Sequence, residues 1–382
     1  MDFEFTPEEK DFQKEVREFM DREVNEGVIA ETESLQGAGP YSKELIRKLG
    51  SRRMLTPSWP EEYGGRGLTV MADSIFMYEL TYHRGPFPLD GVEIARCLLH
   101  MGPEHLKKRF LLPVARGEID VALGYTEPDA GSDLASVKLR AVEDGDEYIL
   151  NGQKIYNTEA HHCEYHWILV RTDPDAPKHK GLSIFIVDLN SPGITIRPLY
   201  TSSGLRTNEV FYEDVRVPKE NMVSEKNGGW SFAQNALRGG AGAPDGALRQ
   251  RFDSWHEYLL GPGRDIWQKN PWVTDEMANY YIALHVHDLL AFRQSAMVDN
   301  GMPVTYEGPM IPAIGGPLRK AFFHAVMRMM GPYGQLAEGS KWVPLEGAMS
   351  RDFLDSCRQT VIHGANEVQK ILVARALGLS RK

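Results

Sequence analysis

Cysteine is scarce in this chain: three residues, Cys97, Cys163 and Cys357, far apart and odd in number. That usage excludes a disulfide framework and fits a reducing compartment, and none of the three sits in a metal-ligand pair, so no metal site is expected. Long apolar runs are missing as well. No segment approaches the roughly eighteen residues of a membrane span. The start, Met1-Asp2-Phe3-Glu4, is acidic and has neither an apolar signal core nor an arginine-rich transit pattern, which leads to the expectation of a cytoplasmic protein. An excess of basic residues is also lacking. The net charge of −10 argues against nucleic acid as a partner, because a phosphate backbone attracts a basic face. No internal repeat or low-complexity tract is present.

What is there is an ordinary globular composition, 42% hydrophobic and 25% charged over 382 residues, enough for two or three packed domains. Thr6-Pro7-Glu8-Glu9 reads as a helix start, with Thr6 as N-cap, Pro7 at the first helical position and acids facing the positive end of the dipole. Phe12, Val16, Phe19 and Met20 then recur at helical spacing. Further helices are predicted over 42–49 and 71–82, with a loop over 59–67. Pro86 and Pro88 break the pattern before Asp90. Val92, Ala95, Leu98 and Leu99 predict the next helix, ending near Gly102-Pro103, and 104–115 forms one more. Residues 1–120 therefore read as an α-helical domain.

From Val121 to about Val223 the pattern changes to short runs rich in β-branched and aromatic residues. They are Tyr148-Ile149-Leu150, Trp167-Ile168-Leu169-Val170, Leu182-Ser183-Ile184-Phe185-Ile186-Val187 and Val210-Phe211-Tyr212. Asp144-Gly145-Asp146, Asn151-Gly152 and Ser191-Pro192-Gly193 read as the turns between strands. Strands without intervening helices predict an antiparallel sandwich or barrel over 121–228. After Gly228-Gly229 helical periodicity returns, with long helices expected over 276–295, 318–330 and 352–376, so 229–382 reads as a helical bundle. The fold class is α+β, in the order helix, sheet, helix.

The segment Gly124-Tyr125-Thr126-Glu127-Pro128-Asp129-Ala130-Gly131-Ser132-Asp133 joins the two regimes. It suits either a solvated connection or a cradle that offers backbone N–H groups and short hydroxyls to a flat or phosphorylated ligand. Four companions accompany it in order: Trp59-Pro60-Glu61-Glu62-Tyr63-Gly64-Gly65, Asn151-Gly152-Gln153-Lys154-Ile155-Tyr156-Asn157-Thr158, Phe211-Tyr212-Glu213-Asp214-Val215-Arg216-Val217-Pro218 and Gly331-Pro332-Tyr333-Gly334. Together these motifs resemble the acyl-CoA dehydrogenase family, and the match covers almost the whole chain.

The resemblance implies an N-terminal helical domain, a central antiparallel β domain and a C-terminal four-helix bundle, and an enzyme that binds FAD and an acyl-CoA. In the family a base removes the proton α to the thioester while the β carbon gives hydride to the flavin N5. Tyr125, Thr126 and Thr158 match positions that touch the flavin ring, and Tyr156 stands where many relatives carry Trp. Ser132 matches a position that meets the pantetheine or pyrophosphate of CoA. Gly331 and Gly334 match the glycine-rich pyrophosphate contact, and Glu367 stands near where relatives contact the cofactor. Arg238 matches an arginine on the helix lining the acyl cavity. Ordinary hairpin hydrogen bonding is the alternative for the hydroxyls. The implied partners are the acyl-CoA substrate, an electron-transfer flavoprotein or similar acceptor, and a homotetramer or paired heterotetramer.

The base is where the chain departs from its relatives. In Val361-Ile362-His363-Gly364, His363 occupies the place of the usual glutamate, with Gly364 beside the substrate, and Leu237 stands at the other known position. Three readings compete. Asp90 matches a region bordering the acyl pocket and is either the base or the N-cap of its helix. His363 is itself the base, as a neutral imidazole. Or the chain is one of two paired subunits, of which the other supplies the glutamate. Altered chemistry, such as elimination or 1,4-dehydrogenation, is the remaining alternative. Four glycines and a proline over 237–246 suggest room for a bulky or cyclic acyl group, or a helix that starts later, near Asp245. Arg264 is the candidate for an arginine that relatives carry before Phe-Gly. His161-His162-Cys163 lacks partners at metal spacing, His285 and His287 read as surface or core groups, Met327, Met329 and Met330 as core, and Lys178-His179-Lys180 as a solvated hairpin or a contact for the CoA 3′-phosphate.

Overall fold

The structure, a computed structural model, describes residues 4–86, 90–239, 243–362 and 364–379, with the backbone alone for 237–239. His363 and the Arg238 side chain lie outside the described residues. In chain order the elements are α1 (Pro7–Glu23), α2 (Glu26–Ser34), α3 (Pro40–Ser51), α4 (Val70–Tyr82), α5 (Asp90–Met101) and α6 (Glu104–Ala115). Then come β1 (Val121–Gly124), β2 (Arg140–Asp144), β3 (Glu147–Lys154), β4 (Tyr165–Arg171), β5 (Leu182–Asp188), β6 (Ile194–Tyr200) and β7 (Arg206–Pro218). The chain closes with α7 (Gly229–Gly239), α8 (Gly246–Leu260), α9 (Arg264–Lys269), α10 (Pro271–Asp299), α11 (Glu307–Met330), α12 (Ala348–Ser356) and α13 (Asn366–Ala376). They pack as two units, one of Met1–Glu33, Thr69–Gly85 and Ala241–Lys382, the other of Ser34–Leu68 and Pro86–Gly240.

In the first unit α1 starts as its sequence demands. Thr6 accepts the Glu9 N–H at 3.2 Å while the Glu9 carboxylate accepts the Thr6 N–H at 2.8 Å, a reciprocal capping box. Phe12, Val16, Phe19 and Met20 form its buried face, as the spacing predicts. Glu79 on α4 is buried and held by Arg17 at 2.7 Å and Gln13 at 2.8 Å. Trp255, Phe322, Phe323 and Val326 sit in the core of α8, α10 and α11, with Met329 and Met330 buried there as well. The helix expected over 352–376 is two helices, α12 and α13. A short 3₁₀ turn at Arg358–Thr360 and Gly364, at φ +89°, interrupt the pattern that residue spacing alone reads as continuous. Helix α2 escaped the sequence reading because Val28 is its one buried residue.

The second unit is built on a seven-stranded sheet, ordered β1-β4-β2-β3-β7-β6, with β5 also paired to β4. Hairpin pairs β2–β3, β4–β5 and β6–β7 are antiparallel, as expected, whereas β1 runs parallel to β4. Strands β4 and β5 are buried almost throughout, which is why they read as unbroken apolar runs. The sequence reading takes Asn151-Gly152 as a turn. It lies inside β3, where the register against β7 shifts between Leu150 and Gly152 and the glycine adopts φ +142°. The extra residue of that bulge lies on β7, where Asp214 adopts φ +50° and donates its N–H to Asn151 Oδ1 at 3.0 Å, so Asn151-Gly152 faces a bulge instead of forming a turn. Among the described residues no helix is long and apolar enough to cross a membrane, and no group of acidic, His or Cys side chains is arranged to hold a metal.

Candidate active site

Within the second unit, the segment after β1 is fixed by its own carboxylate. Glu127, buried, accepts the Lys138 N–H at 2.6 Å and the Leu139 N–H at 3.0 Å, and its main chain exchanges two hydrogen bonds with Ala130, each of 3.1 Å. Lys154 on β3, fully buried, donates to Glu127 Oε1 at 2.8 Å, to the Tyr125 carbonyl at 3.1 Å and to the Leu169 carbonyl at 2.5 Å. Burial pulls its pKa down to about 8 against the raising effect of Glu127. The Ile155 N–H meets the Thr126 carbonyl at 2.9 Å. The stretch is therefore an ordered turn tied to the sheet through Tyr125, Thr126 and Glu127, while Pro128, Asp129, Gly131, Ser132 and Asp133 are exposed to solvent.

That tie decides which groups face a ligand. The Tyr125 phenol is turned into the sheet, where its oxygen accepts the Trp167 Nε1–H at 2.9 Å, and burial raises its pKa well above the ordinary value. Only the main chain of Tyr125 is left for a ligand. Thr126 and Thr158 are half-buried. Tyr156 adopts φ +61° and holds its ring 61% exposed. Between Tyr156 and Thr158, Asn157 is anchored by donating from its N–H to the Asn208 carbonyl at 3.0 Å and from Nδ2 to the Leu123 carbonyl at 3.0 Å. Its Oδ1 is buried and, among the described residues, has no partner. An exposed ring, two half-buried hydroxyls and an unpaired amide oxygen on adjoining turns fit the flat, polar-edged isoalloxazine of FAD. Ser132 is exposed, and its neighbour Asp133 holds Lys178 at 2.7 Å and the Ser136 hydroxyl at 2.6 Å, which takes the lysine into an ion pair of its own.

A second cluster surrounds the start of α5. Asp90 is the first helical residue and not the cap. Asp120 accepts the Gly91 N–H, and the Val121 N–H at 2.8 Å, in a position where a Cβ on residue 91 would run into its Oδ1. Burial foremost, then Asp120, Glu159 and Glu93, pushes the Asp90 carboxyl up to about 7. Burial likewise lifts Asp120 to about 6, with the Val121 N–H opposing, and raises Glu159, whose carboxylate accepts the Ala38 N–H at 3.0 Å. Residue patterns single out Asp90 but miss Lys154, Asn157, Asp120 and Glu159. For Lys154 a signal existed: it follows Tyr148 and Leu150 at even spacing on the inward face of β3.

The first unit carries the remaining candidates. Gly331 has φ +56° and open space where a side chain would stand, while Gly334 packs on the Met327 sulfur. Glu367 is exposed in the first turn of α13, Gly364 lies just before it, and Arg264 is exposed at the start of α9. Asp245 caps α8, accepting the Leu248 N–H at 3.0 Å and Arg319 at 2.5 Å. Helix α8 thus starts at Gly246, the later of the two starts that its sequence allows, after α7 has ended at Gly239. His287, left open as surface or core, is buried against Gly315.

Three successive stretches match the acyl-CoA dehydrogenase family: its N-terminal domain over residues 6–118, its middle domain over 122–215 and its C-terminal domain over 227–378. Acyl-CoA dehydrogenase FadE29 of Mycobacterium tuberculosis is 38% identical over 269 residues, 69% of this chain and 69% of the relative. Acyl-CoA dehydrogenase FadE26 of the same organism is 30% identical over 100% of this chain and 99% of its own length. Among solved structures, the Tcur3481-Tcur3483 steroid ACAD is similar at a TM-score of 0.89 and 30% identity, with 100% of each chain covered.

Proposed function

The chain belongs to the acyl-CoA dehydrogenase family, FAD-dependent oxidoreductases acting on CH–CH bonds, and we propose that it introduces an α,β double bond into an acyl-CoA whose acyl group is cyclic or bulky. The observation that carries this reading is Asp90. A carboxyl near 7 is half ionised at neutral pH, so it can take a proton from a carbon acid and release it again. FAD, when bound, supplies the acceptor for the electron pair and hydrogen lost at the β carbon. Thr126, Thr158 and the main chain of Tyr125 orient its ring, Tyr156 covers it, and Gly331, Gly334 and Glu367 meet its pyrophosphate end. Ser132 binds the CoA portion, and Arg238 and Gly364 border the acyl group. Likeness to a steroid ACAD supports a bulky substrate.

A second reading is favoured by His363, which the family resemblance puts at the place of the usual glutamate, and by likeness to the Tcur3481-Tcur3483 steroid ACAD, which carries two names. Here the chain is one half of a paired heterotetramer and its partner completes the site. Purification of the chain alone separates the two. Yellow protein that bleaches anaerobically with a cyclic acyl-CoA and passes electrons to an electron-transfer flavoprotein supports a self-sufficient enzyme. Colourless protein that takes up FAD only with a second chain supports the pair.

A further inference from the structure

Lys154 has no part in the chemistry above, yet it is a fully buried cation on β3 that holds the turn after β1. A buried lysine paired to glutamate is a poor way to gain stability, since two apolar side chains of equal volume hold a turn as well or better. Its geometry suggests another use. The Lys154 ammonium donates to the Tyr125 carbonyl, and the Ile155 N–H to the Thr126 carbonyl. In a trans peptide the N–H points opposite to the carbonyl. The Thr126 N–H therefore points away from Lys154, and the FAD reading takes it as a donor to the ring. A charge drawing on one end of a peptide strengthens the donor at its other end.

We infer that Lys154 is a positioning residue whose ammonium, acting through the Tyr125–Thr126 peptide, makes the Thr126 N–H a stronger donor to FAD and favours the reduced, more electron-rich ring. Glu127 keeps the ammonium charged and aimed. With a pKa of about 8, Lys154 is mostly cationic at pH 7. The inference rests on the reading that this turn meets the flavin.

The test compares FAD-loaded protein, with its partner chain if loading needs one, as wild type, Lys154→Met and the double variant Glu127→Gln/Lys154→Met. The double variant leaves no unpaired buried charge and so guards against misfolding of the single one. The midpoint potential of bound FAD is expected to become more negative in both, the reduced form losing affinity about tenfold relative to the oxidised form. A folded double variant that binds FAD at an unchanged potential overturns the inference. Thr126→Pro, which removes the N–H itself, separates this from failure of the site reading: if that variant folds and leaves flavin absorbance and affinity untouched, the Thr126 N–H does not meet the ring at all.

Discussion

The Trp167 indole N–H donates to the Tyr125 hydroxyl across 2.9 Å of buried sheet, so the first aromatic of the turn after β1 is a structural anchor. Tyr125→Phe removes the acceptor and leaves a buried N–H unpaired. It is expected to cost about 1–3 kcal/mol in urea unfolding. FAD stoichiometry and absorbance should stay as in the wild type, and a shifted flavin spectrum would return the phenol to the cofactor.

Tyr156 is the opposite case. Its ring is exposed and its backbone sits at φ +61°, so little of the fold depends on its side chain. Tyr156→Asn keeps a residue that tolerates the left-handed region. Unfolding of the FAD-free protein should move by less than about 0.5 kcal/mol. FAD affinity, titrated by fluorescence quenching, should fall by about tenfold, the worth of an aromatic contact of roughly 1 kcal/mol or slightly more.

These two tyrosines show where the sequence was readable. Thr6, the helix 104–115 and the apolar runs of β4 and β5 announced themselves through capping, periodicity and composition. Motif order then marked Tyr125, Thr126 and Tyr156 as candidates for one site. What a string of residues does not carry is the direction of each side chain. Tyr125 points inward and Tyr156 outward, though both are tyrosines in matching motifs. Asp120 and Glu159 reach Asp90 from segments remote in sequence, which no local pattern reveals.

Asp245 and Arg319, each 19% exposed, hold the start of α8. Burial alone would push Asp245 up, but Arg319, His287 and the Leu248 N–H outweigh it and leave the carboxyl below its ordinary value. A depressed carboxyl stabilises the fold above its unfolded pKa, and that stability is lost as pH falls through the lower folded value. Asp245→Ala should cost about 3–5 kcal/mol at pH 7, because it strands Arg319 as well as uncapping the helix. Denaturant midpoints measured down the acid range should show the variant's deficit shrinking at low pH. Asp245→Ala/Arg319→Met should recover most of the loss.

Asp90 makes the sharpest prediction, because activity and stability should move in opposite directions. As the base it must be ionised, so anaerobic flavin reduction by a cyclic acyl-CoA should rise with pH through about 7 and then level. Asp90→Asn should lower that rate by at least about a hundredfold while the acyl-CoA still binds. For stability the sign reverses. A carboxyl raised from 3.8 to about 7 keeps its proton in the folded state after the unfolded chain has released it, so its contribution is lost as pH climbs between those values. Asp120, raised to about 6, and Glu159 act in the same direction. Asparagine carries no charge to bury, and Asp90→Asn should therefore be more stable than the wild type by about 1–3 kcal/mol at pH 8, with the gain vanishing near pH 4. A variant that is both stabilised and unable to reduce its flavin identifies a strained catalytic acid. If Asp90→Asn reduces flavin at the wild-type rate and His363→Ala does not, the base is the histidine and Asp90 only shapes the acyl pocket.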